Sequence, residues 1–266
     1  MKSFEEICRA ACELAKQAGA FIREEQKKFS FSSVEHKGFN DLVSYVDKSA
    51  EKILVDGLQK ILPGSGFITE ENTISIRGKE FQWIIDPLDG TTNFVHGVPC
   101  YCISVALMQN EELVTGIIYE INQDECFYAW KDSPAFLNDK EIKVSAVDKL
   151  ENSLLATGFP YTNFERMKPY MEVFDFCMHE THGLRRLGSA AVDLAYVAAG
   201  RFEGFYEYGL NSWDVAAGAC IVQQAGGKVS DFSGGKKFIF GKEIIATNKN
   251  VFNEFLEVVK SKFNAS

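Results

Sequence analysis

The sequence predicts a layered α/β protein, and two observations carry that expectation. Amphipathic helical stretches alternate with short apolar strand stretches in both halves of the chain. Within the first half, successive strands joined by an Asn110-Glu111-Glu112 turn imply an antiparallel hairpin region. No internal repeat, linker or low-complexity tract interrupts the pattern. One domain over residues 1–266 is therefore expected, with an N-terminal lobe of about 1–150 and a C-terminal lobe of about 151–266.

Ser3 and Glu6 form a capping box for a first helix, whose apolar face runs from Phe4 through Ile7, Cys8, Ala11 and Ala15 to Ile22. A second helix is expected over residues 44–61, ended by Pro63-Gly64. Strands follow at 66–69, 83–85, 102–108, 114–119 and 125–130. In the second half, a strand at 153–157 precedes a helix over 163–180. A strand at 183–187 leads into a small-residue helix from Ser189 to Gly200, and a strand at 202–206 leads to a helix capped by Ser212 and closed by Gly226-Gly227. A strand at 243–246 and a terminal helix from Asn250 complete the order.

Hydrophobic residues make up 46% of the chain and charged residues 24%, which suits a globular protein and excludes general disorder. No apolar run has the length of a membrane span, and the acidic, helix-patterned N-terminus is not a signal peptide. The net charge of −9 disfavours a nonspecific nucleic-acid or membrane-surface binder, but not an anionic substrate where bound metal reverses the local sign. Seven cysteines form an odd set without framework spacing, which points to a reducing cytoplasm.

The chemistry concentrates in Trp83-Ile84-Ile85-Asp86-Pro87-Leu88-Asp89-Gly90-Thr91-Thr92-Asn93-Phe94, where a buried-strand pattern ends in two carboxylates. Asp-Pro-x-Asp-Gly also suits a solvated turn. Carboxylates at the rim of a core, however, repel each other unless a cation lies between them, and oxygen donors suit a hard divalent ion. Other acids stand in matching contexts. Glu70-Glu71 follows the apolar Phe67-Ile68-Thr69. Asp214 opens an almost wholly apolar helix, and Asp47 lies in the first turn of the second helix. Helix-dipole complementation accounts for Asp47 and Asp214 equally well one at a time. Taken together, Glu70, Asp86, Asp89 and Asp214, with Asp47 nearby, make an oxygen nest suited to Mg²⁺ rather than Zn²⁺. His179 and His182 sit three apart near a helix end and read as inert surface residues.

Other phosphate chemistries fail on spacing. The EF-hand position for the closing Glu holds Gly97. A Cys-x₅-Arg loop is absent, the position two before Asp89 is Pro87, and neither a P-loop nor G-x-G-x-x-G occurs. Direct attack by a metal-activated water remains. Leu187-Gly188-Ser189-Ala190-Ala191 enters a helix whose free N–H groups attract anions, or which Ser189 simply caps. Glu207 is placed to accept hydrogen bonds from a polyol, or is an exposed acid.

The Trp83-to-Gly97 run, Ile68-Thr69-Glu70-Glu71 and Trp213-Asp214-Val215-Ala216-Ala217-Gly218 strongly resemble the inositol monophosphatase family. The likeness continues through Lys37-Gly38-Phe39-Asn40-Asp41-Leu42-Val43, Ala156-Thr157-Gly158-Phe159-Pro160, the Arg185-to-Tyr196 segment and Gly226-Gly227-Lys228-Val229-Ser230-Asp231. It spans nearly the whole chain and has the look of the bacterial branch. Thr69 stands where the family often has Gly, Ser189 where Thr is also common, and the segment after Pro160 differs from the animal enzymes.

The resemblance implies a five-layered αβαβα sandwich, a homodimer, and Mg²⁺-dependent, Li⁺-sensitive hydrolysis of phosphomonoesters. It implies that Glu70, Asp86 and the Leu88 carbonyl hold the metal that carries the attacking water, which Thr91 and Asp47 orient and deprotonate. Asp86, Asp89 and Asp214 hold a second metal, and Glu70 also touches a third, weak one. Gly90, Thr91, Gly188, Ser189, Ala190 and Glu207, with Asp89 and Asp214, are implied to contact the substrate.

The function expected from this is a cytoplasmic Mg²⁺-dependent phosphatase of small polyol or sugar phosphates, with inositol 1-phosphate leading. The alternatives are fructose 1,6-bisphosphate, 3′-phosphoadenosine 5′-phosphate and histidinol phosphate, or a regulatory binding protein that has kept the fold and lost turnover. Neither nucleic acid nor membrane is expected as a primary partner.

Overall fold

The computed structural model describes residues 2–29, 34–38, 41–74, 76–161 and 163–263. Helix α1 (Phe4–Gln26) begins at the reciprocal Ser3–Glu6 cap that its sequence allows. Helix α2 (Tyr45–Ile61) begins the same way, from Ser44 and Asp47. Between them lie β1 (Val34–Gly38) and β2 (Asp41–Ser44), an antiparallel pair whose alternation is too short to register as strands in the sequence. Phe39 and Asn40 of the family-like 37–43 motif lie outside the described residues.

The first large sheet contains β3 (Gly66–Thr69), β4 (Phe81–Asp89), β5 (Cys102–Gln109), β6 (Glu112–Glu120), β7 (Glu125–Trp130), β8 (Ala135–Leu137) and β9 (Lys140–Ile142), side by side in chain order. The β3–β4 pair is parallel and every later pair is antiparallel. Asn110 (φ 48°) and Glu111 (φ 70°) make the tight β5–β6 turn in left-handed backbone, a conformation Asn tolerates better than most residues. A short helix, α3 (Thr91–Val95), follows β4.

The second sheet holds β10 (Leu154–Thr157), β11 (Gly183–Arg185), β12 (Gly204–Tyr208), β13 (Lys228–Ser230) and β14 (Glu243–Thr247) in the order β11-β10-β12-β14-β13. Its helices are α4 (Met167–Glu180), α5 (Ala190–Ala198), α6 (Ser212–Gln224) and α7 (Phe252–Phe263). Several boundaries differ from expectation: β4 runs over Phe81–Asp89 rather than 83–85, β11 ends at Arg185 rather than at residue 187, and β12 covers Gly204–Tyr208 rather than 202–206. Helix α4 starts at Met167 rather than at residue 163, and the cap of α6 is Asn211 rather than Ser212, because Asp214 turns back to accept the Asn211 N–H.

Strand alternation sets the layers. On β4, Trp83 and Ile85 pack with the apolar faces of α1 and α2, while Ile84 faces the other way, toward α5 and α6. On β12 and β14, Phe205 and Ile244 face α5 and α6, whereas Tyr206 and Ile245 pack with α4 and α7. The result is helices, sheet, helices, sheet, helices: the αβαβα sandwich. The central helices must be slim. A Cβ on Gly218 of α6 would lie 2.4 Å from Leu194 Cβ of α5, so glycine permits their close crossing. Among the described residues no helix is long and apolar enough to cross a membrane.

Candidate metal centre

One parallel pair from each sheet, β3–β4 and β10–β12, sends its carboxyl ends to one cavity of about 440 Å³. Glu70 follows β3 directly, and its N–H extends the ladder to the Ile85 carbonyl (3.3 Å), which sets Glu70 beside Asp86. Glu51 of α2, fully buried, holds the turn behind it. It accepts the N–H groups of Glu71 and Thr73 (2.8 Å each) and the Thr73 hydroxyl (2.6 Å).

In a regular strand, residues three apart point to opposite faces. Here Asp86 pairs with Ser104 and Asp89 with Cys102, so β4 carries one extra residue, a bulge that turns both carboxylates the same way. Pro87, which lacks an N–H, sits inside the bulge, where no ladder bond is lost. Asp86 accepts the Leu88 N–H across it (2.9 Å).

The two partners on β5 fix what faces the aspartates. Ser104 Oγ donates to the Trp213 carbonyl (3.0 Å), seating the first turn of α6 and Asp214 above the bulge. Cys102 Sγ touches Ser189 Oγ (3.5 Å) at the start of α5. One carboxylate oxygen each from Asp86, Asp89 and Asp214 can then lie within 4.8 Å of one another. Glu70 is close enough to Asp86 for a hydrogen bond between their carboxyls.

Such crowding resists ionisation. Burial, then the charges of Glu70, Asp89 and Asp214, push the Asp86 carboxyl well above the carboxylate range. Burial, then Asp89, does the same to Asp214. Burial also raises Asp89, but Ser189 Oγ–H (2.6 Å) and Ala191 N–H (2.7 Å) bind its Oδ2 and oppose the rise. The anion occupying these α5 donors is therefore Asp89 itself. The capping reading of Ser189 holds as well, since its Oγ also accepts the Val192 N–H.

Asp47 lies one layer back, buried, and does not line the cavity. Its Oδ2 caps α2 through Ser44, and its Oδ1 lies 3.0 Å from Thr91 Oγ1, which also lies 2.9 Å from the Leu88 carbonyl. Burial, before any opposing bond, raises its pKa. Gly90 (φ 92°) and Gly188 (φ 99°) provide left-handed bends at the cavity edge, and a Cβ on Gly188 would meet Asn93 Nδ2 at 2.7 Å. Asn93 ties the halves together by donating to the Cys100 and Leu187 carbonyls (2.8 Å each).

The structure thus brings together Glu70, Asp86, Leu88, Asp89, Gly90, Thr91, Gly188, Ser189, Ala190, Glu207 and Asp214 as lining. Glu207 is buried, and burial lifts its carboxyl to about 8 against the pull of Arg186. His179 stays outside, exposed on α4 with Nδ1 on the Asp175 carbonyl. Sequence reading missed Glu51, Asn93, Ser104, Arg186 and Asp193. Only the polar Ser104 within an apolar strand left a visible signal.

Fold and site define a layered α/β protein with an all-carboxylate candidate metal centre. Family comparison narrows this. The profile of the Inositol monophosphatase family matches residues 3–262, and the chain belongs to that family of phosphatases. An inositol-1-monophosphatase of Mesorhizobium japonicum is 39% identical over 94% of this chain and 95% of its own. A Nus factor SuhB of Pseudomonas aeruginosa is also 39% identical, over 94% of each chain. The crystal structure of the extragenic suppressor protein suhB from Bartonella henselae superposes with a TM-score of 0.88 at 40% identity, covering 93% of this chain and 96% of that one.

Proposed function

We propose that this protein is a Mg²⁺-dependent phosphomonoesterase acting on small polyol phosphates, with inositol 1-phosphate as its leading substrate. The observation that carries the reading is the convergence of Asp86, Asp89 and Asp214 within 4.8 Å on the wall of a cavity of about 440 Å³. Carboxylates so crowded need a cation, and a donor set without His or Cys suits a hard one.

In this reading Glu70, Asp86 and the Leu88 carbonyl hold one ion, and Asp86, Asp89 and Asp214 a second. Glu70 also touches a third, weak one. Mg²⁺, when bound, supplies charge neutralisation at the phosphoryl oxygens and acidifies a coordinated water. The protein's own part is positioning and proton transfer. Thr91 Oγ1, between Asp47 Oδ1 and the Leu88 carbonyl, orients the attacking water and passes its proton to Asp47. Asp47 suits that task because burial makes it more basic than a surface aspartate. Ser189 and Ala191 aim Asp89, while Gly90, Gly188 and Ala190 leave room for the ester. Both halves supply residues, so they act as one catalytic unit.

The test is phosphate release with and without Mg²⁺ from inositol monophosphates, fructose 1,6-bisphosphate, 3′-phosphoadenosine 5′-phosphate, histidinol phosphate and glycerol 2-phosphate. Mg²⁺-dependent release, fastest from inositol 1-phosphate and inhibited by Li⁺, is expected. Release from none of them would defeat the reading. A second reading, a regulatory binding role, is favoured by the equally similar relatives named Nus factors, and silence of the whole panel would favour it further. A cytoplasmic location accords with seven unpaired cysteines. A homodimer completes the proposal, with sedimentation as its check.

A further inference from the structure

Asp193 lies one helical turn after Ser189 on α5, so the two share the face of that helix that looks into the cavity. It is 1% exposed, and its Oδ1 has no hydrogen-bond partner. An orphaned carboxylate oxygen in so dry a place costs stability, and the protein keeps it beside a ligand-sized space. Its electrostatic neighbours are Glu207, Asp89 and Arg186. Arg186 also lines the cavity and acts on Glu207 and Asp89, so positive charge is already present there. A hydrogen-bond donor is what the Asp193 Oδ1 still lacks.

We propose that Asp193 is a specificity-determining residue that, with Glu207, accepts hydroxyl groups of a neutral polyol whose phosphate sits at the metal centre. The assignment rests on the phosphatase reading and names the chemistry of its leaving group. A buried acceptor that no protein donor satisfies favours an alcohol rich in hydroxyls over one with none, because the latter leaves the Asp193 Oδ1 unpaired.

The experiment compares kcat/KM for inositol 1-phosphate and for para-nitrophenyl phosphate, which carries no hydroxyl, in the wild type, Asp193→Asn and Asp193→Ala. Thermal melts confirm that each variant folds, and the near-isosteric Asn keeps the test open if Ala does not. The ratio of the two kcat/KM values should fall about tenfold or more in Ala, with Asn intermediate, mainly through KM. An unmoved ratio in folded Asn and Ala variants, with both substrates losing equally, would overturn the assignment and leave the phosphatase reading standing. A wild type that hydrolyses neither substrate with Mg²⁺ would overturn that reading and this assignment with it.

Discussion

Asp86 is the residue on which the centre turns, because Glu70, Asp89 and Asp214 all bear on it. Replacing it with Asn removes a carboxyl that ionises only at a cost in this crowded, buried set and keeps the shape. Asp86→Asn should therefore melt higher than the wild type in EDTA, yet lose Mg²⁺-dependent turnover by on the order of a thousandfold. Melting curves and phosphate release read the two effects separately, and near-normal turnover would contradict the metal-centre assignment. Gly158 offers a second test at this scale. A Cβ there would lie 2.0 Å from Glu207 Oε2, so Gly158→Ala must displace the buried carboxylate. The expected outcome is a raised KM for inositol 1-phosphate and about 1–3 kcal/mol lost in urea melts, the usual penalty for overpacking. A variant with wild-type KM and stability would show that Glu207 has room to spare.

Whole elements are held in place by polar side chains away from the cavity. Glu51 of α2 binds the turn after β3 through three hydrogen bonds. Glu51→Ala leaves two backbone N–H groups and a hydroxyl unanswered. It should cost about 3 kcal/mol, summed over three groups worth about 1 kcal/mol each. The turn carries Glu70, so activity should also need a higher Mg²⁺ concentration, readable from a metal titration; an unchanged titration would mean that β3 alone positions Glu70. The crossing of α5 and α6 is sensitive in another way. Gly218→Ala should destabilise by about 1–3 kcal/mol because Leu194 blocks the added methyl, measured by denaturant melts.

The molecule as a whole concentrates acids whose protons are hard to remove. Glu207 shows the sign: unfolded, it ionises near 4.5, and folded it keeps its proton to about 8. The folded state thus binds more protons between those values, so stability without metal falls as pH rises through that window. Asp193 shifts in the same direction, from burial and then from Glu207 and Asp89. Melting temperature in EDTA should drop from about pH 5 to about pH 8, and added Mg²⁺ should restore more of it at the higher pH, where protons compete least. A melting temperature that climbs with pH in EDTA would contradict these buried, protonated acids.

Local order was legible in the sequence because its causes are local. The Ser3–Glu6 box, the β3 and β7 boundaries and the β5–β6 turn follow from caps, alternation and turn residues within a few positions. The residue pattern and the family likeness both singled out Asp86, Asp89 and Asp214, the three acids that converge in the structure. The short β1, β2, β8, β9 and β13 strands escaped, since three to five residues carry too little periodicity. What only the tertiary structure decided was which acids touch what. The β4 bulge turns Asp86 and Asp89 to one side, Ser104 seats Asp214 over them, and Asp89 takes the α5 donors that the sequence left open to any anion. Asp193 carries no distinguishing signal in its local sequence, and its orphaned oxygen appears only once the fold closes around it. Sequence records which groups a segment owns, whereas the water lost and the charges met by those groups depend on segments a hundred residues away.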